Sequence, residues 1–357
     1  MRPGNEAELS EAIRGARGAL RVVGGGTRGI DWGSGEGLHT AGLTGISLYE
    51  PGALTLVAGA GTRLAEVEAL LAGEGQRLAF EVPDFRGLLG RQGGSTLGGV
   101  VAANASGPRR VQVGACRDAV LGVRFVDGCG AVIKNGGRVM KNVTGYDLVK
   151  LMAGSRGALG VISEVSFKVQ AVPEAEATLV GAMHAVPGVA AMAAALGSPF
   201  DVSGAAWVGG DVRLRIEGMP GSVAYRAGAL VARLRGDWDV ATGDGSAALW
   251  REVRDVAAFQ GRGGAVWRVV VKPSDAARLA AGTAAADVVL DWGGGLVWLR
   301  DPGFDVRARV AGLGGHATLM RGEGAAFGPE APAVAALTAG LRAAFDPSGL
   351  FRSGAMN

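Results

Sequence analysis

The sequence predicts an α+β protein of two domains, on three observations. Segments of strand and helix character intermix without the strict β-α-β alternation of a doubly wound sheet. The chain has 357 residues, more than one hydrophobic core usually organises, so two packed cores are expected. Composition then shifts at Pro173 to an Ala-rich second half. The expected units are 1–172, a smaller α+β unit with an antiparallel sheet over 173–328, and a helix and tail over 329–357 that return to the first unit.

The elements follow in order. Asn5 and Glu8 form an N-x-x-E capping pattern opening a helix that carries Leu9 and Ile13 to about Ala16. Leu20–Val23 is a short apolar strand running into Gly24. Past Gly29, the glycines at 33, 35, 37, 42 and 45 exclude a helix, since each costs on the order of 1 kcal/mol relative to Ala. Ile46–Tyr49 and Leu54–Ala58 read as strands around a Pro51-Gly52 turn. Leu64, Val67, Leu70 and Leu71 mark an amphipathic helix ended by Gly73 and Gly75. Residues 93–107, GGSTLGGVVAANASG, are almost all small and read as a second loop following a strand. Val120–Val126 and Ala131–Lys134 form a hairpin around Asp127-Gly128, and Thr144 to Asp147 cap a helix bearing Leu148, Leu151 and Met152. Val161, Val165, Phe167 and Val169 alternate along the last strand before Pro173.

In the second half, 207–218 is a hairpin with Val212, Leu214 and Ile216 on one face and Arg213, Arg215 and Glu217 on the other. Helices are expected at 221–235 and 247–259, a strand at 266–272, and a short helix after Pro273. A second hairpin (287–300), a helix near 304–312, a strand at His316–Met320 and a helix at 330–345 complete the pattern.

Composition removes several function classes. Sixty-three glycines follow no G-X-Y period, which excludes collagen. A net charge of +3 without a basic run gives nucleic acid little to bind. No apolar run approaches the roughly eighteen residues of a membrane span, and MRPGNEAELS lacks the apolar core of a secretory signal. Cys116 and Cys129 lie far apart in no metal-binding pattern, as expected of free thiols in a reducing cytosol. No metal site is expected.

Gly24-Gly25-Gly26-Thr27-Arg28-Gly29 matches G-x-G-x-x-G, and Glu50 stands where a ribose-binding acid would. A dinucleotide fingerprint, however, needs its last glycine to open a helix inside a βαβ unit. With no helix expected there, an NAD-dependent Rossmann enzyme is the disfavoured alternative. Bare consecutive N–H groups instead form a concave anion nest, to which Thr27 adds a hydroxyl. A plain tight turn would explain this loop alone. Two separate small-residue runs point to one long, phosphate-bearing ligand laid across both.

The stretches VVGGGTRG, GGSTLGGVVAANASGPRRVQVGACRDAVLGVRFVDG and GGRVMKNVTGYDLVKLMAGSRGALGVISEVSFKV resemble the FAD-binding domain of the vanillyl-alcohol-oxidase-type (PCMH-type) flavoproteins. More narrowly, with the tail motifs GGHATLMRG and FDPSGLF, they resemble the E-type FAD-binding subunits of bacterial glycolate oxidases. The resemblance implies a PCMH-type FAD-binding domain of two α+β subdomains, with a cap domain over the flavin. It puts the FAD pyrophosphate on Gly24, Gly25, Gly26, Thr27 and Arg28. Gly93, Gly94, Ser95, Thr96, Gly98, Gly99 and Asn104 would line the second loop, and Gly160, Val161 and Ile162 would meet the adenosine. Arg117-Asp118 and Gly145-Tyr146-Asp147 also match the family; the structural reading of these is a local ion pair and a helix cap beside a core Tyr. Relatives that bind flavin covalently use His or Cys in these loops. Gly26-Thr27 and Ser95-Thr96 stand there instead, so non-covalent FAD is expected.

Oxidising a 2-hydroxy acid needs a base for the hydroxyl proton and a cation for the carboxylate. His316 and Arg321 are the candidates, although strand alternation puts them on opposite faces unless a bulge intervenes. His39 and His184 have no evident role. The implied function is the FAD subunit of a glycolate-oxidase-like complex, acting on glycolate or a related 2-hydroxy acid. The implied partners are a D-type flavoprotein subunit and an iron–sulfur subunit. The implied location is the cytoplasm, peripheral to the inner membrane through the complex. An electron-relaying, non-catalytic flavin subunit is the alternative. The ending from Phe351 to Met356 departs from the N-P-G-R-M common among relatives.

Overall fold

The computed structural model describes residues 1–29, 34–138, 145–234 and 236–351. Thr144 and the tail from Arg352 lie outside the described residues. In the first half, helix Glu6–Arg14 is capped by Asn5, whose side chain accepts from the Glu8 N–H. Strand β1 (Leu20–Val23) pairs in parallel with β2 (Glu36–His39). The next strands are β3 (Ile46–Glu50), β4 (Thr55–Gly59), β5 (Gln76–Leu78), β6 (Val120–Val126), β7 (Val132–Gly136) and β8 (Val161–Ala171). They form an antiparallel sheet in the order β3-β4-β8-β6-β7, with β5 paired to the far end of β8. Phe125, Val165, Phe167 and Val169 pack from this sheet against Leu64, Val67 and Leu71 of helix Leu64–Gly73.

Sheet membership changes between Ala171 and Ala175. The second half supplies β9 (Ala175–Ala182), β10 (Val202–Val208), β11 (Asp211–Gly218), β12 (Asp239–Thr242), β13 (Val266–Val270), β14 (Val288–Asp291), β15 (Leu296–Arg300) and β16 (His316–Arg321). These make one eight-stranded sheet, β12-β9-β11-β10-β14-β15-β13-β16. The shorter segment thus carries the wider sheet. Helices Ala185–Leu196 and Pro220–Leu234 cover one face. The first of these, along with β9 and β12, has no clear periodic signature in the Ala-rich sequence.

The chain then returns. Helix Pro332–Phe345 ends with Phe345 against Phe125, ring centroids 6.0 Å apart, and Phe351 is buried beside Leu20 and Ile13. Asp346 accepts from the Leu350 and Phe351 N–H groups at 2.8 Å each, and Leu350 accepts from the Leu20 N–H at 2.7 Å.

Three local expectations are corrected. Residues 93–107 are not a loop after a strand. They follow the short helix Arg86–Leu89 and contain helix Leu97–Ala102, capped by Thr96. Burial of Leu97, Val100 and Val101 overrides the glycine penalty, and a Cβ on Gly98 would lie 2.7 Å from that of Ala60. Tyr146 is 89% exposed rather than in the core. Asp118 pairs not with Arg117 but with Lys150, at 2.9 Å.

The polar face of β11 is the main surprise. Arg213, Arg215 and Glu217 are all buried: Arg213 under helix Gly243–Arg254, where it donates to the Leu249 carbonyl and Glu252, and Arg215 and Glu217 against the first half of the chain. Arg215 grips Glu81 with two bonds of 2.9 and 3.0 Å. Arg109 grips Glu217 the same way (2.9 and 3.0 Å), and Arg77 adds a bond of 2.8 Å to Glu217. Burial would raise the Glu217 carboxyl, but the Arg215, Arg109 and Arg77 guanidiniums outweigh it and hold the group well below the ordinary range. Such a network is costly to break on one side, since the remaining charges stay buried.

Candidate functional site

A cleft opens between the β1 end, the following glycine loop and helix Leu97–Ala102. Its walls are largely backbone, from Gly24, Gly25, Gly26, Gly98 and Gly99. The two glycine runs pack on each other. A Cβ on Gly25 would collide with the Gly94 carbonyl oxygen, and one on Gly24 would lie 2.5 Å from Thr96 Oγ1. Gly26 adopts φ +71°, a conformation that side chains disfavour. The loop therefore presents peptide groups instead of side chains, as an anion nest requires.

Thr27 and Arg28 fasten the two runs. Thr27 Oγ1 lies 3.1 Å from Ser95 Oγ, and Arg28 donates to Ser95 Oγ (2.7 Å) and to the Pro83 carbonyl (2.6 Å). Burial pulls the Arg28 guanidinium down to about 10. Its Nε is buried without a hydrogen-bond partner among the described residues, a donor directed at neither of these anchors.

Through Arg28, Ala103 and Arg156 the cleft adjoins a second cavity, a chamber between the two sheets. The far wall comes from alternate residues of β13 and β16: Arg268 and Val270, then His316, Thr318 and Met320. Trp292 bridges the halves. Its Nε1 donates to the Gly107 carbonyl at 3.0 Å. The Arg110 and Arg268 guanidinium carbons lie 4.4 and 5.3 Å from its ring centroid. Three non-glycine residues of this wall, Asn104, Arg156 and Trp292, have φ of +46°, +53° and +55°. Such strain persists where the surroundings over-determine it, and it gathers at functional sites.

Among the described residues no acid lines the chamber, while Arg28, Arg110, Arg156 and Arg268 all do. Burial, then the Arg156 and Arg110 charges, push the Arg268 guanidinium down to about 10. Although His316 opens β16 at an exposed position, partial desolvation, with the Arg268 charge second, lowers its pKa and favours the neutral imidazole. Asp291 lies just behind, accepting from the Trp292 N–H at 2.7 Å, and its burial raises the carboxyl to about 7.

Of the residues singled out in the sequence, Gly24 to Arg28, Thr96, Gly98, Gly99, Gly160 and Ile162 line the cleft. Gly93, Gly94 and Ser95 stand behind the first loop as its support. Asn104 lines the chamber instead. Val161 is fully buried on the opposite side of β8 from the cleft, with Leu9 and Ile13. His316 lines the chamber, but Arg321 does not. A bulge at Met320 does break the β16 register against Val266 and Trp267. The Arg321 guanidinium is nevertheless spent on the carbonyls of Arg262 (2.6 Å), Leu88 (2.8 Å) and Gly264 (3.0 Å). His39 lies on exposed β2, and His184 precedes helix Ala185–Leu196.

Arg110, Arg156, Arg268 and Trp292 went unnoticed in the sequence. Only the Arg109-Arg110 doublet offered a signal, and its two members diverge: Arg109 enters the buried ion network while Arg110 faces the chamber. Among the described residues no group of His, Cys, Asp and Glu side chains suits a metal, and no helix is long and apolar enough to cross a membrane.

Comparison with known proteins accords with this geometry. Residues 1–136 match the family model of the FAD binding domain. The chain is 35% identical over 315 residues to glycolate oxidase subunit GlcE of Escherichia coli (strain K12), covering 87% of this chain and 84% of that protein. Glycolate oxidase subunit GlcD of Bacillus subtilis (strain 168) is 41% identical over 85 residues, 24% of this chain and 18% of its own length. An alkyldihydroxyacetonephosphate synthase structure superposes with a TM-score of 0.71 at 15% identity, covering 98% of this chain and 74% of that one. The orphaned Arg28 Nε, the bare glycine walls and the adjoining cavities suit a long diphosphate ligand carrying a flat ring. The chain therefore belongs to the FAD-binding flavoprotein family that includes glycolate oxidase subunit GlcE, and FAD is its cofactor.

Proposed function

We propose that this protein oxidises a small 2-hydroxy acid, with glycolate as the reference substrate, to the 2-oxo acid. The observation that carries the reading is the chamber next to the glycine cleft, whose described lining holds arginines and His316 and no acid. FAD, held without a covalent bond by the peptide groups of Gly24 to Thr27 and by Thr96 to Gly99, supplies a two-electron acceptor for the hydrogen leaving the α-carbon. The chain's own residues do the rest. Arg268 and Arg110 bind carboxylate, and Trp292 fixes both guanidiniums through its ring. His316, favoured in its neutral form by partial desolvation and by Arg268, takes the hydroxyl proton at an imidazole nitrogen. Arg321 is dropped from the catalytic set, and its role is to hold β16 against the preceding loops.

Electrons leave through a D-type flavoprotein subunit and an iron–sulfur subunit, in a complex on the cytoplasmic side of the inner membrane. The test is anaerobic addition of glycolate to the yellow purified chain, alone and then with its partner subunits. Bleaching of the flavin band by the chain alone supports the proposal. Bleaching only after partners are added assigns the chain to electron relay and overturns its catalytic part.

A further inference from the structure

We infer that the chamber is built for a dianion, so that 2-hydroxy dicarboxylic acids, not glycolate, are the preferred substrate class. This rests on the reading of the chamber as the 2-hydroxy-acid site. The argument is one of charge. Arg28 and Arg156 sit on the wall shared with the cleft, where the cofactor's diphosphate brings negative charge. Arg110 and Arg268 line the chamber alone. Among the described residues neither makes an ion pair or a side-chain hydrogen bond; each packs on the Trp292 ring, and Asp118 and Asp291 reach them only through longer-range charge. Two guanidiniums against one indole repel each other in a half-buried space, and among the described residues no carboxylate lines that space to balance them. Asp291, the acid beside Trp292, is held toward its neutral form by burial.

A single carboxylate would neutralise one of the two cations and leave the other exposed to repulsion. A ligand that carries two carboxylates satisfies both. Paired charge-assisted bonds of this kind are the strong ones. Thr318, directly opposite Arg268 across β13 and β16, adds a hydroxyl on the same wall.

The test is calorimetric titration of the purified, FAD-loaded chain with malonate and with acetate, which cannot be oxidised and differ by one carboxylate. The expected result is malonate binding tighter by on the order of tenfold or more, with the gap narrowing as salt rises. Arg110→Met and Arg268→Met should each bring malonate binding down to the level of acetate, erasing the gap. Arg268→Lys, which keeps the charge, should retain part of it and guards against a folding defect in the methionine variant. Equal binding of the two acids, or a gap that survives in both methionine variants, overturns the inference. The 2-hydroxy-acid reading fails differently: malonate would still bind preferentially, but neither glycolate nor tartronate would bleach the flavin.

Discussion

Along the cleft, glycines bring the polypeptide backbone itself to the ligand. In the chamber, side chains of arginine, tryptophan and histidine do that work. The cleft draws its first loop from six consecutive residues, and the second run lies directly behind it. The chamber draws Arg110 from the first half of the chain and Arg268, Trp292 and His316 from the second. Backbone recognition is a property of a short sequence, because it depends on which side chains are missing. Side-chain recognition across a domain interface depends on how two separately folded sheets meet.

Substitutions can break or sharpen this contrast. The largest effect is expected at His316: His316→Gln should lower kcat by about 10²–10⁴-fold with FAD content unchanged. Its control, Arg321→Met, should lower Tm yet leave kcat nearly intact. Similar losses of kcat in the two variants would put Arg321 back into catalysis. Next comes the ion network that seats one half on the other. Glu217→Ala removes a carboxylate shared by three guanidiniums, leaving Arg77 with none and Arg109 and Arg215 with Glu81 alone, at a cost of roughly 3–5 kcal/mol, read by denaturant unfolding. Anion affinity should suffer more than FAD affinity; equal losses would mean that the cleft too depends on the seating of the domains.

A smaller effect is aimed at the cleft alone. Gly25→Val drives a side chain into the Gly94 carbonyl, an overpacking cost of about 1–3 kcal/mol. Purified protein should have a lowered ratio of flavin to protein absorbance but preserved selectivity between malonate and acetate. Full flavin content would show that the runs part freely.

The pH response separates the interface carboxylates from Asp291. Glu81 and Glu217 are depressed, so their contribution is present above the unfolded carboxylate range and is lost as pH falls. Asp291 is raised from 3.8 to about 7, so its contribution is present below 3.8 and is lost as pH rises through 7. Asp291→Asn should flatten the decline in stability over that window, and an unchanged slope would place its titration elsewhere. The smallest change is Thr27→Val, which removes the hydroxyl contact with Ser95 and should weaken FAD retention by about 1 kcal/mol.

Much of the first half was legible. The Asn5 cap, the hairpin around Asp127 and the Asp147 cap appear where the residues put them, because caps and turns are decided within a few residues. Helix Leu97–Ala102 was hidden because glycine propensity argued against it, while the packing of Leu97, Val100 and Val101 argued for it and won. Arg215 and Glu217 read as one polar stripe on a strand. Nothing in their alternation says whether such a stripe meets water or a carboxylate such as Glu81 from 134 positions earlier.

The sequence by itself determined the glycine cleft, since missing side chains and positive φ at Gly26 are written into consecutive residues. It also determined the alternating strands that place His316 and Thr318 on one face. Only the tertiary structure decided that Arg110 and Arg268 share one Trp292 ring, and that Arg321, five residues past His316, faces carbonyls instead. The physical reason is range. Backbone conformation is set by neighbours along the chain, whereas the pairing of a buried charge is set by whatever the folded sheets bring within a few ångströms of it.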